Sequence, residues 1–446
     1  MTRKRLSALD RSFLSFESRD VMMHVGALLE LSPPQDGADG WSRDLRDELA
    51  REPSVERPWN MRLAHPEMLS SPLQAWVEDD GFDVEYHVRR SALPKPGDER
   101  ELGILVSRLH GTPLDFHRPP WEAHFIEGLE NDRIALYFKV HHALVDGYTG
   151  MRMLARSLSR DPADDETPLF FARPPDERPP RNHEEEATFH ALMSIARDQF
   201  GVAKDIGRAL MSRRHAPSLK APKSILNQRI SRSRRFATQQ LPIDRMKEIA
   251  QRAGGTINDV VLAVCGVSLR RFLAEQDALP DGPLIAMVPV NVRPKDDPGG
   301  GNAVGAILAS LATDIADPRA CLDAVIASTK RAKAELQGMS KNAILQYSAL
   351  VLAPLSLALI PGAVGRVRPA FNVVVSNVPG PESHLWFRGW RLDEMYPLSI
   401  PFHGYALNIT VQSYAGSLNF GFTGCRDTLP HLQRLAVYSG EVLDRL

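Results

Sequence analysis

The run Ile134-Ala135-Leu136-Tyr137-Phe138-Lys139-Val140 passes directly into His141-His142-Ala143-Leu144-Val145-Asp146-Gly147, and then into residues 148–159, which carry apolar side chains at Met151, Met153, Leu154 and Leu158. Seven residues rich in β-branched and aromatic side chains have the length of a buried strand, and the spacing that follows is helical. The two histidines are therefore expected where a strand turns into a helix. His142 and Asp146 stand four apart and Gly147 lacks a Cβ, so a sharp turn can hold both side chains in place. A neutral imidazole, with an ordinary pKa near 6.5, suits removal of a proton from a hydroxyl. A polar strand end followed by an ordinary turn explains most isolated His-His pairs. The complete pattern HHxxxDG is rarer, expected by chance on the order of once in several hundred sequences of this composition.

Composition narrows the class. The chain has 446 residues, 43% hydrophobic and 24% charged, with a formal net charge of −1. That length supports two or three domains with full cores, and the near-zero charge gives no argument for nucleic acid. Cys265, Cys321 and Cys425 lie far apart without CxxC spacing, which points away from disulfides and thiolate zinc sites and fits a reducing compartment. The basic start Met1-Thr2-Arg3-Lys4-Arg5 is not followed by an apolar h-region, so secretion is not indicated. Among the histidines, including His24, His87, His110 and His403, there is no HExxH or comparable ligand cluster, and no metal is expected. Gly299-Gly300-Gly301 lacks GxGxxG spacing and reads as a loop, not a dinucleotide site.

The chain divides into three sections: 1–160, alternating strands and helices with the HHxxxDG pattern; 161–235, a linker with a helix and a basic tract; and 236–446. In the first, residues 25–31 and 82–88 read as strands, 99–110 as an amphipathic helix, and 123–129 with 134–140 as a hairpin. In the second, a Pro-, Asp- and Glu-rich stretch precedes a helix over 184–211. The tract from Lys204 to Arg235 then sets ten cations against Asp205 alone. It is either a solvated face or an attraction for coenzyme A phosphates or an anionic membrane. In the third, Thr256 or Asn258 is placed to cap a long apolar helix over 258–273, and Ser376-Asn377-Val378-Pro379-Gly380 reads as a strand ending in a turn. Residues 418–446 repeat the order strand, turn, helix without the histidines. If the halves are related, a single site lies between two domains. Residues 343–364 carry no charge, but Pro354 and Pro361 interrupt them. A Pro-broken buried or interfacial helix, bordering a lipid entrance or docking on a membrane, is favoured over a span.

HHxxxDG resembles the catalytic motif of the acyltransferases related to chloramphenicol acetyltransferase. Within that superfamily the chain is similar, over nearly its whole length, to the bacterial wax ester synthase/acyl-CoA:diacylglycerol acyltransferases. The segments that carry the resemblance are Leu9-Asp10-Arg11-Ser12-Phe13-Leu14, Met23-His24-Val25-Gly26, Pro119-Pro120-Trp121-Glu122, Asn258-Asp259-Val260-Val261-Leu262-Ala263, Gly301-Asn302, Val375 to Pro381 and Ser413 to Leu418. One departure is Pro119-Pro120-Trp121, where the family usually shows Pro-Leu-Trp.

The resemblance implies an α/β (α+β) fold of two chloramphenicol-acetyltransferase-like subdomains, each a mixed sheet with flanking helices, and an active site between them. It implies an O-acyltransferase moving a fatty acyl group from acyl-CoA, as co-substrate and with no cofactor, to diacylglycerol or a long-chain alcohol. His142 is then the general base, Asp146 an orienting residue paired with a basic partner, and His141 a positioning residue. Asn258, Ser376 and Asn377 are candidates to donate to the oxyanion or line the substrate. No GxSxG elbow appears and Cys265 sits in an apolar helical pattern, so no acyl-enzyme is required. A cytoplasmic location, with peripheral association at the inner membrane or a lipid droplet, is expected. The rival readings are an acyltransferase fed by a carrier protein and a catalytically silent lipid-surface protein.

Overall fold

Every residue of the strand Ile134–His141 is buried, because both its faces are covered. Leu136, Phe138 and Val140 pack with Trp59, Trp121 and Phe170. On the other face Ala135 and Tyr137 pack with Leu102, Leu105 and Val106. The computed structural model describes residues 3–34, 55–145, 147–172, 221–291, 304–337 and 364–446. The helix expected over 184–211, the loop at 299–301, Asp146 and nearly all of 343–364 lie outside them.

The strands in chain order are β1 (Arg3–Arg5), β2 (His24–Ser32), β3 (Met61–Leu63), β4 (Ala75–Glu78), β5 (Val88–Ala92), β6 (Trp121–Glu127), β7 (Ile134–His141), β8 (Arg234–Pro242), β9 (Ile285–Asn291), β10 (Val304–Ser310), β11 (Val373–Val378), β12 (Trp386–Phe387), β13 (Trp390–Leu398), β14 (Leu407–Tyr414) and β15 (Ser417–Cys425). They form a small sheet, β1-β4-β3, and two six-stranded sheets, β12-β13-β2-β7-β6-β5 and β10-β9-β11-β14-β15-β8. Both large sheets are mixed: β5 runs parallel to β6, and β11 runs parallel to β14 and β9. The helices are α1 (Ala8–Phe16), α2 (Val84–His87), α3 (Glu99–His110), α4 (Gly147–Ala155), α5 (Ile243–Arg252), α6 (Ile257–Ala274), α7 (Pro318–Gln337) and α8 (Gln433–Leu443).

The expected hairpin is β6-β7, antiparallel, and the amphipathic helix is α3. Two expectations are corrected. Residues 82–88 alternate apolar and polar side chains as a strand would, yet Asp83 caps a helical turn, accepting from Glu85 N and Tyr86 N, and the strand begins only at Val88. The helix after the motif ends at Ala155, short of 159.

The two large sheets meet backbone to backbone. A Cβ on Gly421 of β15 would lie 2.0 Å from the carbonyl oxygen of Pro397 on β13, and Asn419 Nδ2 donates to Met395 O (3.2 Å). Helix α3 fills the angle between them: Phe236 N of β8 donates to Ser107 Oγ (2.9 Å), and Phe236 shares a core cluster with Tyr137 of β7. Strands β12 and β13 come from the third section of the chain but complete the first sheet.

Candidate active site

Strand β7 ends at His141, and four backbone hydrogen bonds shape the turn that follows. His141 N donates to Pro120 O (2.9 Å) and His142 N to Met23 O (2.8 Å), while Leu144 N and Val145 N both reach back to His141 O (2.9 and 3.3 Å). Helix α4 then starts at Gly147. The two histidines are thereby given different environments. His141 is 1% exposed. Its Nδ1 accepts from Ala143 N (3.1 Å), so the neutral ring carries its proton on Nε2, which points at Glu17 Oε2 3.4 Å away. Phe116 packs edge-on against it at 5.2 Å. His142 is only half-buried, with its ring stacked on Phe13 at a centroid distance of 4.1 Å.

Glu17 organises both rings. It is the residue at which α1 ends, its N–H donating to Phe13 O (3.1 Å). Its Oε2 accepts from Met23 N (2.5 Å), and the carbonyl of Met23 holds His142. One carboxyl group thus lies beside the His141 ring, 3.4 Å from Nε2, and reaches His142 through one residue. Met23 and Val21 belong to the core of the second sheet, against which Phe13 also packs, so the histidine turn sits where the two halves adjoin.

Asn258 and Asn377 are brought together: Asn377 Nδ2 donates to Asn258 Oδ1 (2.8 Å), joining the first turn of α6 to the end of β11. Thr256 is the cap of α6, in a capping box with Asp259. Asp259, 2% exposed, also accepts from Thr329 Oγ1 (2.6 Å) and is structural. Of the Asn258-Asp259 pair, Asn258 alone keeps an amide to offer a ligand. Ser376 is half-buried on β11, opposite Thr410 of β14.

A buried polar layer lies below the turn. Lys139 donates to Leu109 O (3.0 Å) and Thr112 O (2.8 Å) and sits 3.2 Å from Glu122 Oε2. Burial alone would raise the pKa of Glu122, but the His124 hydrogen bond and the charges of Lys139 and Arg89 bring it down to about 2. His110 meets Tyr137 Oη (2.9 Å) and Ser399 O (3.3 Å), and burial, with Arg234 nearby, depresses its pKa to about 3. His24 Nε2 donates to His110 O (2.8 Å), and burial first, then His110 and Lys139, hold its pKa well below the usual range.

The sequence model of the wax ester synthase/diacylglycerol acyltransferase catalytic domain matches residues 6–261, and that of the family's C-terminal domain matches 300–446. A putative diacylglycerol O-acyltransferase of Mycobacterium tuberculosis is 52% identical, covering 100% of this chain and 97% of its own. The solved wax ester synthase/diacylglycerol acyltransferase from Marinobacter aquaeolei VT8 superposes with a TM-score of 0.82 at 38% identity, covering 99% and 98% of the two chains. The chain belongs to the wax ester synthase/diacylglycerol acyltransferase family. It is an O-acyltransferase. The fold is shared more widely: the first condensation domain of the calcium-dependent antibiotic synthetase matches with a TM-score of 0.54 at 17% identity, over 100% of this chain and 95% of that one.

Within this wax ester synthase/diacylglycerol acyltransferase chain, the segments that carried the resemblance now have physical places. Phe13, Met23 and Pro120 all wrap the histidine turn. Pro120 needs only its carbonyl there, so a proline where the family usually has leucine keeps the bond to His141. Glu17 had no signal in the sequence: a lone glutamate after a short helix has neither periodicity nor motif. The basic tract is heterogeneous. Lys223, Arg229 and Arg232 are exposed, whereas Arg234 is buried, donating to Asp20 O (2.7 Å) and Ser231 O (2.5 Å), and is a strut between the halves.

Proposed function

We propose that the chain transfers a fatty acyl group from acyl-CoA to diacylglycerol or a long-chain alcohol, with His142 as the general base. The observation that carries this assignment is the contrast between the paired rings: His141 has Nδ1 occupied and is sealed, while His142 is half-buried beside it. The acceptor hydroxyl gives its proton to the His142 ring as its oxygen attacks the thioester carbonyl carbon. The tetrahedral intermediate collapses by breaking the carbon–sulfur bond, and the protonated ring returns the proton to the coenzyme A thiolate. Such proton transfer contributes about a hundred- to ten-thousandfold in rate. The Nδ2 of Asn258, held by Asn377, is the donor assigned to the oxyanion. Asp146 keeps the orienting role that the family resemblance gives it.

The lipid acceptor suggests peripheral association with a membrane or droplet surface on the cytoplasmic side. No described helix is long and apolar enough to cross a membrane.

The test is release of coenzyme A thiol from palmitoyl-CoA with hexadecanol, dipalmitoylglycerol or no acceptor. Acceptor-dependent release is expected, falling at least about a hundredfold in His142→Ala. A variant within a few-fold of wild type would exclude His142 as the base.

A further inference from the structure

The small sheet beside the histidine turn carries a surface that takes no part in the chemistry above. Its edge strand β1 is Arg3-Lys4-Arg5, all three exposed, paired with β4 on one side. Next to it runs the loop 64–74, closed by three successive reverse turns: Met68 N donates to His65 O (3.0 Å), Ser71 N to Met68 O (3.0 Å) and Gln74 N to Ser71 O (3.1 Å). Gln74, 2% exposed, braces the loop from inside, donating to His65 O (2.8 Å) and Met68 O (3.2 Å) and accepting from His65 N (3.0 Å). Arg11 donates to Ser71 O (3.1 Å), and Arg3 to Leu73 O (2.7 Å).

A loop held this firmly nonetheless displays Met68 and Leu73, 60% and 69% exposed, the two most exposed large apolar side chains among the described residues. A mobile loop would turn such side chains inward; a fixed one presents them. Two of the nearby acids face arginines, Glu78 with Arg57 (2.7 Å) and Asp79 with Arg62 (3.5 Å), and Glu67 meets the His117 ring (2.9 Å). On its inner side the loop touches the site, because Leu69 packs in one cluster with Ala143, Leu144 and Phe116.

We propose that this face seats the enzyme on a bilayer containing anionic phospholipid, with Met68 and Leu73 below the headgroups and Arg3 and Arg5 on the phosphates. Two protruding apolar side chains beside exposed cations complement an anionic headgroup layer over an apolar interior. The proposal rests on the acyl-transfer and peripheral-association reading, and it puts a contact on the loop 64–74. A lipid acceptor leaving the bilayer here is one small apolar cluster away from the histidine turn.

The test is co-sedimentation of the full chain with vesicles of phosphatidylcholine alone or with about one third phosphatidylglycerol. Wild type is compared with Met68→Ser/Leu73→Ser and Arg3→Gln/Arg5→Gln. Acyl transfer from a short-chain acyl-CoA to a water-soluble alcohol reports an intact site in each. Wild type is expected to bind the anionic vesicles, and each double variant to bind about tenfold or more weakly with its soluble-substrate rate unchanged. Added salt should weaken the Met68→Ser/Leu73→Ser protein further and the arginine variant little. Both variants binding like wild type would overturn this face while leaving peripheral association standing. Wild type binding no vesicle would overturn both. A raised KM for acyl-CoA in the arginine variant, with vesicle binding unchanged, would make the cations a coenzyme A contact and overturn the proposal.

Discussion

At the scale of single residues, two adjacent histidines of identical chemistry are separated by what their neighbours do. His141 accepts from Ala143 N on one nitrogen and has Glu17 3.4 Å from the other, while His142, half-buried beside it, is the ring proposed as the base. This makes Glu17 a positioning residue with a specific signature. Glu17→Ala removes the acceptor of Met23 N–H, and leaving a buried N–H unpaired costs about 1–3 kcal/mol. It also frees the carbonyl that holds His142 to shift. We expect kcat to fall about ten- to a hundredfold with little change in KM for acyl-CoA, and Glu17→Gln, which keeps an acceptor oxygen, to recover most of the loss. Equal kcat in the alanine variant and wild type would remove Glu17 from this role. The sequence named both histidines because their motif is contiguous. It could not name Glu17, whose contacts are made across a turn and have no local pattern.

At the scale of elements, the side-chain pattern was a good guide, as amphipathic spacing in α3 and as unbroken apolar runs in β7 and α6. Strand β7, the hairpin β6-β7 and helices α3 and α6 all follow it. It failed at residues 82–88, where alternating side chains imitate a strand and the Asp83 cap decides for a helical turn. Pairing was also out of reach. That β13 would lie beside β2, more than 350 residues away along the chain, or that Asn377 would meet Asn258, depends on contacts that no short window contains. One such contact lies at the junction of the two sheets. The Cβ of Gly421→Ala would collide with Pro397 O at 2.0 Å, forcing β15 from β13 at a cost of about 1–3 kcal/mol. Urea denaturation should show this as a lowered midpoint. Gly282→Ala, where a Cβ meets nothing within 4 Å, serves as the control and should be near neutral.

At the scale of the whole molecule, the described core contains buried histidines whose protonation opposes folding, four of them in and around the first large sheet. Burial lowers the pKa of His24 and His124, that of His87 to about 4 and that of His110 to about 3. Unfolding returns each ring to about 6.5. The unfolded chain therefore binds more protons, so the stability these rings contribute is fully present above pH 6.5 and is lost as pH falls from there toward 3. Each ring contributes at most about 1.4 kcal/mol per pH unit below 6.5, and for His87 and His110 the loss continues down to about pH 4 and 3. The total stability of a typical domain is about 5–15 kcal/mol. Glu30 and Glu394 act in the opposite sense, since burial raises their pKa and their contribution is regained as pH falls. Two raised carboxyls do not offset four depressed imidazoles through the window from 6.5 to 5. Thermal unfolding followed from pH 8 to pH 5 should be nearly flat down to about 6.5 and then fall steeply. His110→Asn should show a shallower fall than wild type, because one imidazole no longer takes up a proton on unfolding. A melting temperature constant to pH 5 would mean that these rings are protonated in the folded protein, against the burial that encloses them.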